Sequence, residues 1–119
     1  MRFRPEQHLR RPGDFRTLRE QGRRIDCGAF TLWWRARDEA AATPTRVGFV
    51  ASSAQVGGAI ARARAKRRLR EVFRQQQAQI PAGLDLMLVA RAAVNRWEFP
   101  ELGEKFATAC RKLSVTPHV

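Results

Sequence analysis

The chain has 119 residues, enough for one domain with a modest core and too few for two. Its 23 Lys and Arg against 11 Asp and Glu give a formal charge of +12, and Lys66, Lys105 and Lys112 are the only lysines. A domain this basic has a nucleic acid or an anionic membrane as its expected partner, and the planar donor fork of arginine suits phosphate and base recognition better than a point charge does. The membrane is set aside: no apolar run approaches the roughly 20 residues of a spanning helix, and no N-terminal signal pattern is present. The expected location is cytoplasmic.

Residues 1–11, with Arg2, Arg4, Arg10 and Arg11, read as a basic arm without periodicity. Pro12 can open a helix, Asp14 suits its positive end, Phe15 and Leu18 make an i, i+3 apolar edge, and Gly22 supplies a stop. Residues 25–37 read as extended, with Phe30, Leu32 and Trp34 alternating against Thr31, Trp33 and Arg35. A loop over 38–45 leads to a second β-run over 46–52, and these two runs are predicted to form a hairpin. Val56-Gly57-Gly58 opens onto a basic helix that should run to about Gln79 and stop before Pro81. Residues 84–91 form a nearly continuous apolar run, the pattern of a buried strand. Pro100 begins a last helix, with Glu101 and Glu104 early, Arg111 and Lys112 late, and a core side of Phe99, Leu102, Phe106, Cys110 and Leu113. The order predicts an α+β domain over 12–115, helices packed on a small sheet, with a short tail at 116–119.

The basic helix is the most informative segment. Residues 62–74 carry seven basic side chains and one acid, Glu71. Arg62, Lys66, Arg70 and Arg74 follow one another at i+4 with Arg67 beside them, while Ala61, Ala65, Leu69 and Val72 form the apolar stripe and Phe73 lies at its margin. A merely solvated helix face usually interleaves both signs. This face is predicted to meet a polyanion.

Catalytic chemistry is not legible. Asp38 and Glu39 are adjacent in a loop, Glu101 and Glu104 sit at a helix start, and Asp85 lies in a strand, with no His or Lys base beside any of them. Gly57-Gly58 lacks the Gly-Lys-Ser/Thr ending of a phosphate-binding loop. Cys27 and Cys110 lack metal-ligand spacing and read as buried reduced thiols; His8 and His118 lie near the two ends. No catalytic residue and no protein-held metal is therefore expected, and no small-molecule substrate.

The segment Arg46-Val47-Gly48-Phe49-Val50-Ala51-Ser52, the glycines after it, and Arg62-x-Arg64-x-Lys66-Arg67-x-x-Arg70-Glu71 resemble the bacterial ribonuclease P protein subunit. Asp14-Phe15 with Gly22-Arg23 is similar to that family's first helix and exit, 84–91 to its last strand and 99–113 to its closing helix. The resemblance implies an α-β-β-β-α-β-α order with a short extra strand near 24–26 and a left-handed βαβ crossover through the basic helix, a ribosomal-protein-like fold. Three positions depart from the family pattern: Ser53-Ala54 stand where a Lys-Lys pair is usual, Ala63 where an Asn lies between the two arginines, and Arg19 where the first helix carries a second aromatic.

The function implied by the resemblance is that of a ribozyme cofactor. Arg62, Arg64, Lys66, Arg67, Arg70 and Arg74 would dock on the catalytic RNA, ribonuclease P RNA. Phe15, Arg19, Trp33 and Arg35 would line a cleft for the single-stranded 5′ leader of precursor tRNA. The RNA, with Mg²⁺ bound mainly by itself and the substrate, would hydrolyse the bond joining leader to tRNA. The alternative expectation is a structural RNA-binding module of similar fold, a ribosomal or assembly protein.

Overall fold

A computed structural model describes residues 12–37 and 44–113. The basic arm, residues 38–43 of the loop, with Asp38 and Glu39, and residues 114–119 lie outside the described residues. Helix α1 spans Pro12–Gln21 and strands β1, β2 and β3 span Arg23–Asp26, Phe30–Ala36 and Arg46–Val50. A short helix α2, Ser53–Val56, precedes the basic helix α3, Ala59–Gln76; then come β4, Leu84–Ala90, and α4, Phe99–Cys110. Single 3₁₀ turns follow α3 and β4.

The predicted extended run over 25–37 is two strands. Gly28, at φ +80°, turns the chain between β1 and β2, and a Cβ there would fall 2.4 Å from the Trp97 ring. The predicted hairpin between the second and third strands does not form. The sheet order is β1-β2-β4-β3, with β4 antiparallel to β2 and parallel to β3. The reason lies in β4, where every residue but Val89 is buried. A strand apolar on both faces gains most at the centre of a sheet, so β4 inserts between β2 and β3 and leaves the latter at an edge.

Alternation then divides the sheet. One face carries Phe30, Leu32, Trp34, Val47, Leu84, Leu86 and Leu88, packed with Ala65, Leu69, Val72 and Phe73 of α3 and Leu102 and Phe106 of α4 as the main core. Phe106 meets Phe30 and Phe73 at ring-centroid distances of 6.2 and 6.3 Å. The other face carries Trp33, Met87, Val89 and Val50, and it is covered only in part, by α1.

At the end of the sheet Asp85, with its side chain 5 % exposed, accepts from Arg46 Nε at 2.9 Å and Nη2 at 2.8 Å, and from Arg37 Nη1 at 2.5 Å. Burial pushes the Asp85 carboxyl up, but the hydrogen bonds from Arg46 and then Arg37 outweigh it and hold the group below its ordinary range. Arg46 lies 3.7 Å from Asp14 of α1, so the same cluster joins three strands to the first helix.

Candidate nucleic-acid interface

The basic helix follows its predicted pattern with one correction. Ala65, Leu69, Val72 and Phe73 are buried, so Phe73 belongs to the core rather than to its margin. Lys66, Arg67, Arg70 and Arg74 are exposed together with Arg64, but Arg62 is half-buried. An i+4 ridge is not parallel to the axis: at 3.6 residues per turn it drifts about 40° with each step. The ridge therefore begins at Arg62, close to the buried stripe, and reaches solvent by Lys66. The exposed basic face is centred on Arg67, with Arg64 and Arg74 flanking it.

Several of these cations already have partners inside the fold. Arg70 lies over the Phe49 ring, 5.4 Å from its centroid, and Arg74 donates to Glu71 one turn earlier. Arg64, Lys66 and Arg67 make no hydrogen bond or ion pair among the described residues. Arg68 points the other way: its Nε donates to the Val94 carbonyl at 2.9 Å, its Nη2 to the Trp97 carbonyl, and its guanidinium lies 6.0 Å from the Phe99 ring centroid. Asn95 Nδ2 donates back to the Ala61 carbonyl at 3.0 Å. Charge counting alone could not separate this structural arginine from its neighbours. Ile60, 88 % exposed at the start of α3, has no counterpart in the sequence reading, because a single isoleucine carries no pattern.

On the opposite face of the sheet, where the leader cleft was expected, α1 covers the strands only in part. Leu18 and Met87 are fully buried there, and Phe15, Trp33, Val50 and Val89 pack against them while remaining partly exposed. The helix is fixed at both ends. Asp14 faces Arg46 at its start, and at its end Arg35 Nη1 donates to Gln21 Oε1 at 3.1 Å. Gly22 N donates to the Leu18 carbonyl at 2.8 Å, and a Cβ at Gly22 would fall 2.4 Å from that oxygen and 2.9 Å from the Trp34 carbonyl. Only glycine permits so close an exit from α1 onto β1.

Of the four residues assigned to this cleft, Phe15 and Trp33 share the Leu18–Met87 cluster. Arg19 is exposed on α1, and Arg35 lies at the end of α1, tied to Gln21. None of the six cations assigned to α3 joins them, because α3 packs on the other face. Val50 and Val89 also pack on this cluster, a placement that strand alternation with Gly48 and Met87 could have given. Arg91 was missed too: its Nη2 donates to Thr31 Oγ1 at 3.0 Å and its Nη1 to Asp26 Oδ1 at 3.0 Å and the Gly28 carbonyl at 3.1 Å. Asp26 is held below its ordinary range by the Gly28 N–H first and by Arg91 next.

Among the described residues no three His, Cys, Asp or Glu side chains converge, and Asp85, Asp26 and Glu71 are each engaged by arginine. Burial raises the Cys27 thiol to about 11 and the Cys110 thiol to about 12, so both are protonated and unreactive at neutral pH. Among the described residues no helix is long and apolar enough to cross a membrane.

Comparison with known proteins agrees with this architecture. The family model for ribonuclease P matches residues 3–114. The ribonuclease P protein component of Symbiobacterium thermophilum is 38% identical over 91 residues, covering 76% of each chain. That of Streptomyces avermitilis is 36% identical over 114 residues, covering 91% of this chain and 92% of its own. Among solved structures, the ribonuclease P protein of Thermotoga maritima superposes with a TM-score of 0.76 at 25% identity, over 90% of this chain and 97% of that one. The Staphylococcus aureus protein shares the fold, with a TM-score of 0.73 at 21% identity over 89% and 93% of the two chains. Matched along nearly its whole length by the family model and by these relatives, the chain belongs to the ribonuclease P protein family, the protein component of a ribonuclease whose complex contains RNA.

Proposed function

We propose that this chain binds ribonuclease P RNA through the exposed face of α3 and holds the 5′ leader of precursor tRNA in the cleft beside α1. In doing so it assists RNA-catalysed removal of the leader in the cytoplasm. The observation that carries the reading is the half-covered face of the sheet. There the Trp33 indole on β2 and the Phe15 ring on α1 remain partly exposed rather than closing into a core. Aromatic faces stack on any base, at about 1–3 kcal/mol per base, which suits a protein that must accept leaders of different sequence.

The two surfaces divide the work. Arg64, Lys66 and Arg67 neutralise backbone phosphates of the catalytic RNA, with Arg70 and Arg74 extending the same face and Arg62 at its inner edge. Phe15 and Trp33 position the leader, with Arg19 and Arg35 supplying charge along α1. Mg²⁺, bound mainly by the RNA and substrate, would supply the hydrolytic chemistry; Asp26, Glu71 and Asp85 of this chain are paired with arginines. The buried, protonated thiols of Cys27 and Cys110 suit a reducing compartment.

The test is cleavage of a precursor tRNA at low Mg²⁺ by the RNA subunit of the same organism, with and without this protein. The expected result is stimulated release of the 5′ leader and no cleavage by protein alone. RNA binding without stimulation would overturn the reading.

A further inference from the structure

We propose that Arg24 and Trp33 form a subsite for one nucleotide of single-stranded RNA, the indole stacking on the base and the guanidinium holding the adjoining phosphate. The proposal deepens the leader-cleft reading and rests on it.

Strands β1 and β2 set two Arg–Trp pairs in successive registers, Arg23 opposite Trp34 and Arg24 opposite Trp33. Successive residues point to opposite faces, so the same pairing is built twice, once on each side of the sheet. On the core side the two partners serve each other: the Arg23 guanidinium lies 5.9 Å from the Trp34 ring centroid, and Trp34 is 6 % exposed. On the cleft side they do not. Trp33 rests one side on the Leu18–Met87 cluster and keeps the rest open. Arg24 is exposed and makes no hydrogen bond, ion pair or ring contact among the described residues.

The carboxylate nearest along that strand face is also occupied. Asp26 accepts from Gly28 N at 2.8 Å and from Arg91 at 3.0 Å, so Arg24 attracts it only through space, the smallest of the influences on it, and makes no hydrogen bond to it. What remains is a flat ring and a cationic fork on neighbouring strands, their Cβ atoms separated by about 4.5–5.5 Å as cross-strand partners are. A nucleotide presents the complementary pair, a base and a phosphate separated by one sugar. Neither contact reads a base edge, so the subsite accepts any base. Because β1 is an edge strand and β2 lies inside it, Arg24 stands at the margin of the sheet and Trp33 one strand in.

The experiment measures binding of a leader-bearing precursor tRNA and of the same tRNA without its leader to the full-length protein, across a salt series. The variants are Arg24→Ala, Arg24→Lys, Trp33→Leu and the double Arg24→Ala/Trp33→Leu. Leucine keeps apolar packing on Leu18 and Met87 while removing the stacking face, and thermal melts check that each variant is folded. Arg24→Ala is expected to weaken leader-bearing RNA several-fold and to lower the slope of log affinity against log salt by about 0.7, the value for one single-strand phosphate contact. It should leave leaderless tRNA unchanged, and Arg24→Lys should restore most of the slope. Trp33→Leu should weaken leader-bearing RNA with the slope intact, and the double variant should lose less than the sum of the two.

Two outcomes overturn the subsite alone: Trp33→Leu removes the leader preference while Arg24→Ala does nothing, or Arg24→Ala acts equally on both RNAs. If neither position affects the leader preference, the cleft reading fails and the subsite fails with it.

Discussion

The two faces of one sheet are made from alternate residues of the same four strands, yet they end in different states. The face toward α3 and α4 is closed: Phe30, Leu32, Leu84, Leu86 and Leu88 are fully buried against Leu69, Val72 and Phe106. The face toward α1 buries only Leu18 and Met87 completely and leaves Phe15, Trp33, Val50 and Val89 partly open. The difference follows from the width of what covers each side. Helix α1 is ten residues long with one fully buried side chain, whereas α3 and α4 together bring eight buried residues to their side. Burial is concentrated on one face, and the other leaves two rings partly exposed.

Substitutions should separate the two faces. The largest expected effect is at the cluster that joins them. Asp85→Ala leaves Arg37 and Arg46 without their buried counter-ion and should lower unfolding free energy by about 3–5 kcal/mol, read by urea denaturation. On the closed face, Leu69→Ala should cost about 2–5 kcal/mol through the cavity it leaves, with RNA affinity falling only as the folded fraction falls. On the outward side of α3, Arg67→Glu should leave the melting temperature nearly unchanged and weaken RNA association broadly, with a flatter salt dependence. On the open face, Trp33→Leu should cost less stability than Leu69→Ala, because Trp33 is only half-buried, while impairing precursor tRNA more than mature tRNA. Equal loss on both RNAs would remove the contrast between the faces.

A smaller and more specific effect is in the pH dependence. The Asp85 carboxyl titrates lower in the folded than in the unfolded chain, where the ordinary value is about 3.9. Its stabilisation is therefore complete above that value and is lost as pH falls through the depressed folded one. Asp85→Asn should be less stable than the parent at neutral pH and lose less on acidification, so the two unfolding curves should converge once the pH has fallen through the depressed folded value. Parallel curves would assign the acid limb to other carboxylates.

Local signals in the sequence located the elements well, because helix capping, strand alternation and the apolar run at β4 act within a few residues. Gly22, Pro100 and the alternation around Trp33 each marked a boundary or a face that the fold adopts. What was not legible is non-local. Whether β3 pairs with β2 or β4 depends on which strand gains most from the centre of the sheet, a competition that no single segment records. The same holds for the basic residues. Periodicity identified the outward face of α3, but straightening an i+4 ridge placed Arg62 with the exposed cations. Nothing in the order of residues shows that Arg68 finds two carbonyls beyond β4, or that Arg91 occupies Asp26 and leaves Arg24 open.

The seating of Arg68 bears on how such a helix is dissected experimentally. A scan that removes each cation of α3 in turn and scores RNA affinity will report Arg68 among the sensitive positions, although its donors point at Val94 and Trp97. The loss there comes from two orphaned carbonyls and a loosened junction between α3 and the segment leading into α4. It will therefore appear equally in a melt recorded with no RNA present. Neutralising Arg64 or Arg67 will leave that melt unmoved, so a scan paired with calorimetry would sort the helix into hinge pins and electrodes.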